Sequence, residues 1–148
     1  MIRVKVKRIG DNQDIPLPAY ESQGSAGMDI RASVKEPVSL MPGEIRLIPT
    51  GLAISVPPGY EAQIRPRSGL ALRYGIGIVN SPGTIDSDYR GEIGILLINW
   101  GGEPFTVNRS DRIAQMVISR VFQIALTEID DLGQTARDKG GFGHTGIM

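Results

Sequence analysis

Proline–glycine pairs cut this chain into pieces too short for long helices and well suited to strands. Pro42-Gly43, Pro58-Gly59 and Pro82-Gly83 are turn signals, and Gly101-Gly102 adds another. Between them lie Ile- and Val-rich runs: Glu44–Ile48, Leu52–Val56, Tyr60–Ile64, Ile93–Asn99, Phe105–Val107 and Ile113–Phe122. Strict period-2 alternation in Ile2–Lys7 and in Ala62–Arg67 puts alternate side chains on opposite strand faces. Many short strands with regular turns predict an all-β sandwich or barrel. Ser68–Tyr74 alone argues for a helix, with Ser68 as its N-cap and Gly75 as its stop.

Composition then narrows the chemistry. A length of 148 residues suits one domain with a core of its own. Sixteen Lys and Arg balance sixteen Asp and Glu, so no direct nucleic-acid binding is expected. A small anionic ligand held by a few local cations remains open. The absence of Cys excludes thiol nucleophiles, disulfides and Cys-ligated metals. A single His, His144, excludes a two-His metal site within one chain and leaves a Ser-His-Asp triad without a well-placed base. No apolar run approaches ~18 residues, so no membrane-spanning helix is expected. The alternating start, Met1 to Lys7, is not a signal-peptide core, and a cytoplasmic location is expected. The glycine-rich stretch from Gln134 to Met148 cannot order itself by burial. The expected division is a β-barrel body over 1–133 and a flexible arm over 134–148.

Five polar clusters interrupt the strands. In Ala26–Ala32, Asp29 sits among apolar neighbours, so its carboxylate faces solvent at a turn or has a specific partner. In Arg65-Pro66-Arg67-Ser68-Gly69, two guanidinium groups and a hydroxyl meet a helix start. This is an anion site or a capped surface helix. Asn80–Gly91 reads as a hairpin turned at Pro82-Gly83, with Asp86 and Asp88 on one strand face and Tyr89 opposite Asp88. An Asn can read a base edge and an Asp can activate water; the bland reading is a polar hairpin. Asp111–Gln115 opens a strand, where Arg112 can simply pair with a carboxylate. In Arg137–Gly146, glycines around Phe142 let backbone N–H groups approach a phosphate while the ring stacks on a base. The bland reading is a frayed tail. It lacks the Gly-Lys-Ser/Thr ending of a Walker loop.

In this order, from about Ala26 to Gly146, the clusters resemble the five motifs of the trimeric dUTPase family. The resemblance rests on Arg-Ser-Gly-Leu-Ala at 67–71, Ile-Asp-Ser-Asp-Tyr-Arg-Gly at 85–91, Asp-Arg-Ile-Ala-Gln at 111–115 and Gly-Gly-Phe-Gly-His-Thr-Gly at 140–146. It implies a jelly-roll-like β-barrel (a β-clip) with one short helix, assembled as a homotrimer with active sites at subunit interfaces. The implied reaction is Mg²⁺-assisted hydrolysis of dUTP to dUMP and pyrophosphate. That reaction limits uracil incorporation into DNA and supplies dUMP for dTMP synthesis. By the same resemblance, Asp86 is the general base for a water that attacks the α-phosphorus. Asn80 and the backbone of Gly83, Thr84 and Ile85 read the uracil edge, and Tyr89 packs on the deoxyribose. Arg67, Ser68, Gly69 and Gln115 contact the phosphates, and Asp29 lies near the metal, reaching it through water. The arm closes over a neighbouring subunit's site. There Phe142 stacks on the base while Arg137, Gly143, His144 and Thr145 meet the phosphate end.

Three positions depart from the family pattern. Met28 stands where an aromatic is common, Ser110 where Gly is common, and His144 where Ser is common. Two rival readings share the fold. A dCTP deaminase needs a carboxylate beside the cytosine amino group, for which Glu92 is the closest candidate. A silent nucleotide-binding module would not need Asp86, Tyr89, Gln115 and Arg137 together.

Overall fold

A computed structural model describes residues 2–141. The expected contacts of Phe142, Gly143, His144 and Thr145 lie outside that range. The body consists of eleven short strands and one helix. In order, these are β1 (Lys5–Arg8), β2 (Met28–Arg31), β3 (Val38–Leu40), β4 (Ile45–Pro49), β5 (Leu52–Ser55) and β6 (Tyr60–Arg65), then α1 (Ser68–Tyr74). After the helix come β7 (Ile76–Ile78), β8 (Gly83–Ile85), β9 (Gly94–Asn99), β10 (Phe105–Val107) and β11 (Arg112–Arg120).

The strands form four small sheets, ordered β1-β5, β10-β3, β2-β11-β6-β8 and β4-β9-β7. Every pairing is antiparallel. The sheets share one core, and β6 turns alternate residues into it while β5 and β7 bury consecutive ones. Ile30, Leu40, Ile48, Ile64 and, from β9, both Ile95 and Leu97 meet there from five strands. Burying a side chain of this size contributes about 1.5–3 kcal/mol. The mostly-β architecture with one short helix matches the expectation.

Local chemistry explains the turns. Gly43 and Gly59 follow their prolines with φ of 78° and 81°, the left-handed region that a type II turn needs. The third pair behaves differently. Gly83 is buried inside β8, and the Ser81–Pro82 peptide is cis. The expected 80–91 hairpin is therefore corrected: β7 pairs with β9, while β8 pairs with β6 in another sheet. Asp86 and Asp88 lie past the end of β8 in a turn closed by the Tyr89 N–H donating to the Asp86 carbonyl (3.2 Å). They do not share a strand face.

Helix α1 covers the predicted residues and stops at Gly75, whose φ of 67° lets its N–H return to the Ala71 carbonyl at 3.0 Å. Its N-cap, however, is Arg67 rather than Ser68, and no side chain caps it. Asn99 ties the far end together. Its buried amide donates to the carbonyls of Leu40 (3.0 Å) and Glu103 (2.8 Å) and accepts from the Gly101 N–H (2.9 Å). Removing it would leave buried groups unpaired, at about 1–3 kcal/mol each. The loop between β1 and β2 is held by Arg109, which donates to both carboxylate oxygens of Asp14 at 2.8 and 2.7 Å. That hydrogen-bonded guanidinium holds the Asp14 carboxyl below its ordinary range.

Beyond Arg120 the chain leaves the sheets. The described part of the tail, 121–141, forms no strand or helix with its own chain. It carries Phe122, Ile124, Leu126 and Leu132 at 78–91% exposure.

Candidate active site

The four-stranded sheet assembles most of the polar clusters. Gln115 on β11 lies between Asp29 on β2 and Arg65 on β6. Two residues past Arg65, the chain reaches Arg67 at the start of α1. Strand pairing thus gathers residues from three of the five clusters that lie far apart in sequence.

Asp29 is the hinge of this group. Its side chain is 8% exposed and each of its oxygens accepts from a different arginine. Arg67 Nε donates to Oδ1 at 3.1 Å and Arg112 Nη1 donates to Oδ2 at 3.1 Å. Arg67 Nη1 also donates to the Arg112 carbonyl at 3.0 Å. The carboxylate has specific partners and does not face solvent at a turn. Breaking such a buried pair from one side is costly, because the remaining charge has no counterpart.

Arg67 and Arg112 share the Asp29 carboxylate, and Arg112 also comes within 3.9 Å of the exposed Glu21 carboxylate, so a chain of zero net charge gathers two guanidinium groups with their counter-charges at one place. Among the described residues Arg67 Nη2 has no protein partner, and the exposed Ser68 and Gly69 stand beside it at the uncapped helix start. A guanidinium held from one side by carboxylate presents its other donors in fixed geometry. Arg112 is the residue that sequence reasoning left outside the site. The basic residue opening Asp111–Gln115 was the available signal, but its partner is 83 residues away.

The 80–91 segment forms a second group. β8 is the edge strand of its sheet, so one side of its backbone is unpaired within the described residues. The Asn80 amide leans toward Gly83, its Nδ2 being 3.5 Å from where a Cβ on Gly83 would lie. Asp86 is exposed and borders a cleft of about 560 Å³ with Tyr60, Glu61, Asp88, Val121 and Gln123. Tyr89 is half exposed, and its hydroxyl donates to the Glu92 carbonyl at 3.0 Å.

Asp86 and Arg67 do not meet within one chain, although Gly83 at the near end of β8 pairs with Ile64, next to Arg65. Ile85 pairs with Ala62, and Arg65 lies three residues further along β6. Roughly 10 Å of strand therefore separates that pair from Arg65. Asp86 leaves the sheet at the opposite end from α1. Arg137 is also apart: its Nε donates to the Gly140 carbonyl (2.8 Å) within the exposed tail.

Two further observations bear on the sequence reading. Glu92 is a structural anchor, its Oε1 accepting from the Gly51 N–H at 2.8 Å. The carboxylate closest to the deaminase reading thus serves to hold the β4–β5 turn. Ser110 has φ of 69°, its N–H donating to the Ala32 carbonyl (2.9 Å) and its carbonyl accepting from Arg31 Nη1 (2.8 Å). The departure from Gly there is a left-handed residue pinned on both sides.

Among the described residues no three His, Asp or Glu side chains cluster closely enough to cage a metal. Asp29 retains a lone pair on each oxygen after accepting from the arginines. The donor set therefore fits Mg²⁺ bound chiefly by phosphate oxygens, with Asp29 reached through water.

The mostly-β body, with its polar clusters at an uncapped helix start and along a free strand edge, has the dUTPase type of fold. The chain belongs to the dUTPase family, whose model matches residues 13–146. It is 60% identical over 146 residues, 99% of both chains, to the deoxyuridine 5'-triphosphate nucleotidohydrolase of Thermoanaerobacter sp. strain X514. It is 58% identical, over 99% of both chains, to that of Caldanaerobacter subterraneus subsp. tengcongensis. The solved dUTPase of Staphylococcus bacteriophage 80alpha with dUPNHPP superposes with a TM-score of 0.86 at 25% identity, covering 98% of this chain and 99% of that one. A mutant dUTPase from phage phi11 of S. aureus, described with a structural Mg(II) ion, gives 0.76 at 25% identity over 88% of this chain and 98% of that one. Among the described residues no helix is long and apolar enough to cross a membrane.

Proposed function

We propose that this chain hydrolyses dUTP to dUMP and pyrophosphate by attack of an Asp86-activated water on the α-phosphorus. The chain is a dUTP diphosphatase of nucleotide metabolism, as its near-full-length relatives are named. The observation that carries the finer reading is the Arg67–Asp29–Arg112 cluster beside the open start of α1. It supplies directional donors for a polyphosphate and no nucleophile. Water is then the attacking group; Asp86 and Asp88 are both exposed on the cleft, and the motif order assigns the base to Asp86.

Arg67, Ser68, Gly69 and Gln115 hold the phosphates against departure from line. The free edge of β8, through Gly83, Thr84 and Ile85, together with Asn80, recognises the uracil edge. A cytosine there would leave buried donors or acceptors unpaired, a penalty that reaches ~10⁴-fold in favourable cases. Tyr89 lies against the deoxyribose. Asp86 accepts the proton of the attacking water as its oxygen bonds to phosphorus and the bond to the pyrophosphate oxygen breaks. Bound Mg²⁺ would offset charge on the phosphates and the leaving pyrophosphate. The arm over 134–148 covers the bound nucleotide, with Phe142 on the base and Arg137, Gly143, His144 and Thr145 at the phosphate end.

A homotrimer with sites between subunits completes this reading. It is supported by the separation of the Arg67 and Asp86 groups within one chain. An apolar groove of about 520 Å³, lined by Val4, Val6, Leu17, Tyr20, Met28 and Ile118, also supports it. The exposed apolar residues of the tail find no cover on their own chain. Surfaces of this kind mark association.

Hydrolysis in heavy-oxygen water tests the point of attack. The label is expected in dUMP and not in pyrophosphate. Label in pyrophosphate would place the attack on the β-phosphorus and remove the proposed geometry.

A further inference from the structure

The position of the Tyr89 ring is set by two neighbours, neither of which touches it with a side chain. The first is Gly91. A Cβ built there would lie 2.3 Å from the Tyr89 hydroxyl oxygen and 2.5 Å from Cζ, so the ring lies directly on the glycine. The second is the Glu92 carbonyl, which accepts the Tyr89 hydroxyl at 3.0 Å. That carbonyl is itself immobilised. The Glu92 carboxylate accepts the Gly51 N–H at 2.8 Å, and the next residue, Ile93, donates its N–H to the Leu52 carbonyl at 2.8 Å. Arg90 braces the turn from outside, its Nη1 donating to the carbonyls of Ser87 and Tyr89 at 2.7 Å each.

We infer that Gly91 is a positioning residue for sugar specificity: its missing side chain lets the Tyr89 ring fold down and be latched to the Glu92 carbonyl. The inference rests on the proposed contact between Tyr89 and the deoxyribose. Gly91 is absent from the residues with positive φ, so its backbone suits Ala. The atoms that must yield to a new methyl are the far end of a half-exposed ring, not backbone. The added Cβ therefore swings the ring off its latch and leaves the strands alone. A ring held in place closes the space that a ribose 2′-hydroxyl would occupy, and a displaced ring opens it.

The test is the ratio of kcat/KM for UTP to that for dUTP in four proteins: wild type, Gly91→Ala, Tyr89→Ala and the double variant. Gly91→Ala is expected to raise the ratio about tenfold, the scale of discrimination by one small group in a pocket. Tyr89→Ala should raise it at least as far, and Gly91→Ala should add nothing in that background, since both act through one ring. Tyr89→Phe, which keeps the ring but loses the latch, should move the ratio the same way by a few-fold; it serves if Gly91→Ala does not fold. A wild-type ratio in Gly91→Ala, with Tyr89→Ala shifted, overturns the inference alone. A wild-type ratio in Tyr89→Ala overturns the sugar contact and the inference with it.

Discussion

Asp86→Asn is expected to lower dUTP turnover by roughly a hundred- to ten-thousand-fold, the range a positioned general base contributes. Nucleotide affinity should change little. The substitution keeps size and shape and removes only the ability to accept the water's proton. Asp86 is exposed beyond the end of β8 and makes no hydrogen bond through its carboxylate within the described residues, so the fold does not depend on it. Turnover by pyrophosphate release and affinity for a non-hydrolysable dUTP analogue separate the two effects. An equal loss of both would assign Asp86 to binding and leave the attacking water without a base.

Removal of residues 137–148 is expected to abolish most activity, by about a hundredfold or more, while the body stays folded. The strands end at Arg120, and Arg137 bonds only within the exposed tail among the described residues. The truncation thus costs the body no sheet contact. It removes Phe142, whose proposed stacking on the base would contribute about 1–3 kcal/mol. It also removes donors that would meet charge as it develops on the leaving pyrophosphate, where loss of a single donor can cost ~10²–10³-fold. Unchanged circular dichroism with lost turnover is the expected pair of results. Full turnover would show that the arm has no part in catalysis.

The two effects fall on residues whose roles came from motif order, and the body they attach to was readable for a different reason. Helix α1 and strands β5, β6 and β9 follow from local signals: period-2 alternation, flanking turns and a terminal glycine. Three-residue strands such as β3 and β7 are too short to show a period. β2 was obscured by Asp29, a charge in the middle of an apolar run. Its burial depends on Arg67 and Arg112, which only antiparallel pairing across β11 and β6 brings near. The same limit explains the 80–91 segment. Pro82-Gly83 looks like a hairpin turn locally, yet β7 and β8 find partners in different sheets. The N-cap was misassigned by one residue because Ser is a strong capping type and Arg is not. Tertiary pairing decides each of these cases, and no window of sequence contains it.

The most direct test of the account is pyrophosphate release with Mg²⁺ from dUTP, dCTP, dTTP and UTP measured in parallel. Release from dUTP alone is expected if, as proposed, β8 reads the base edge and Tyr89 the sugar. Processing of dCTP, or release from UTP at a rate equal to that from dUTP, would contradict it.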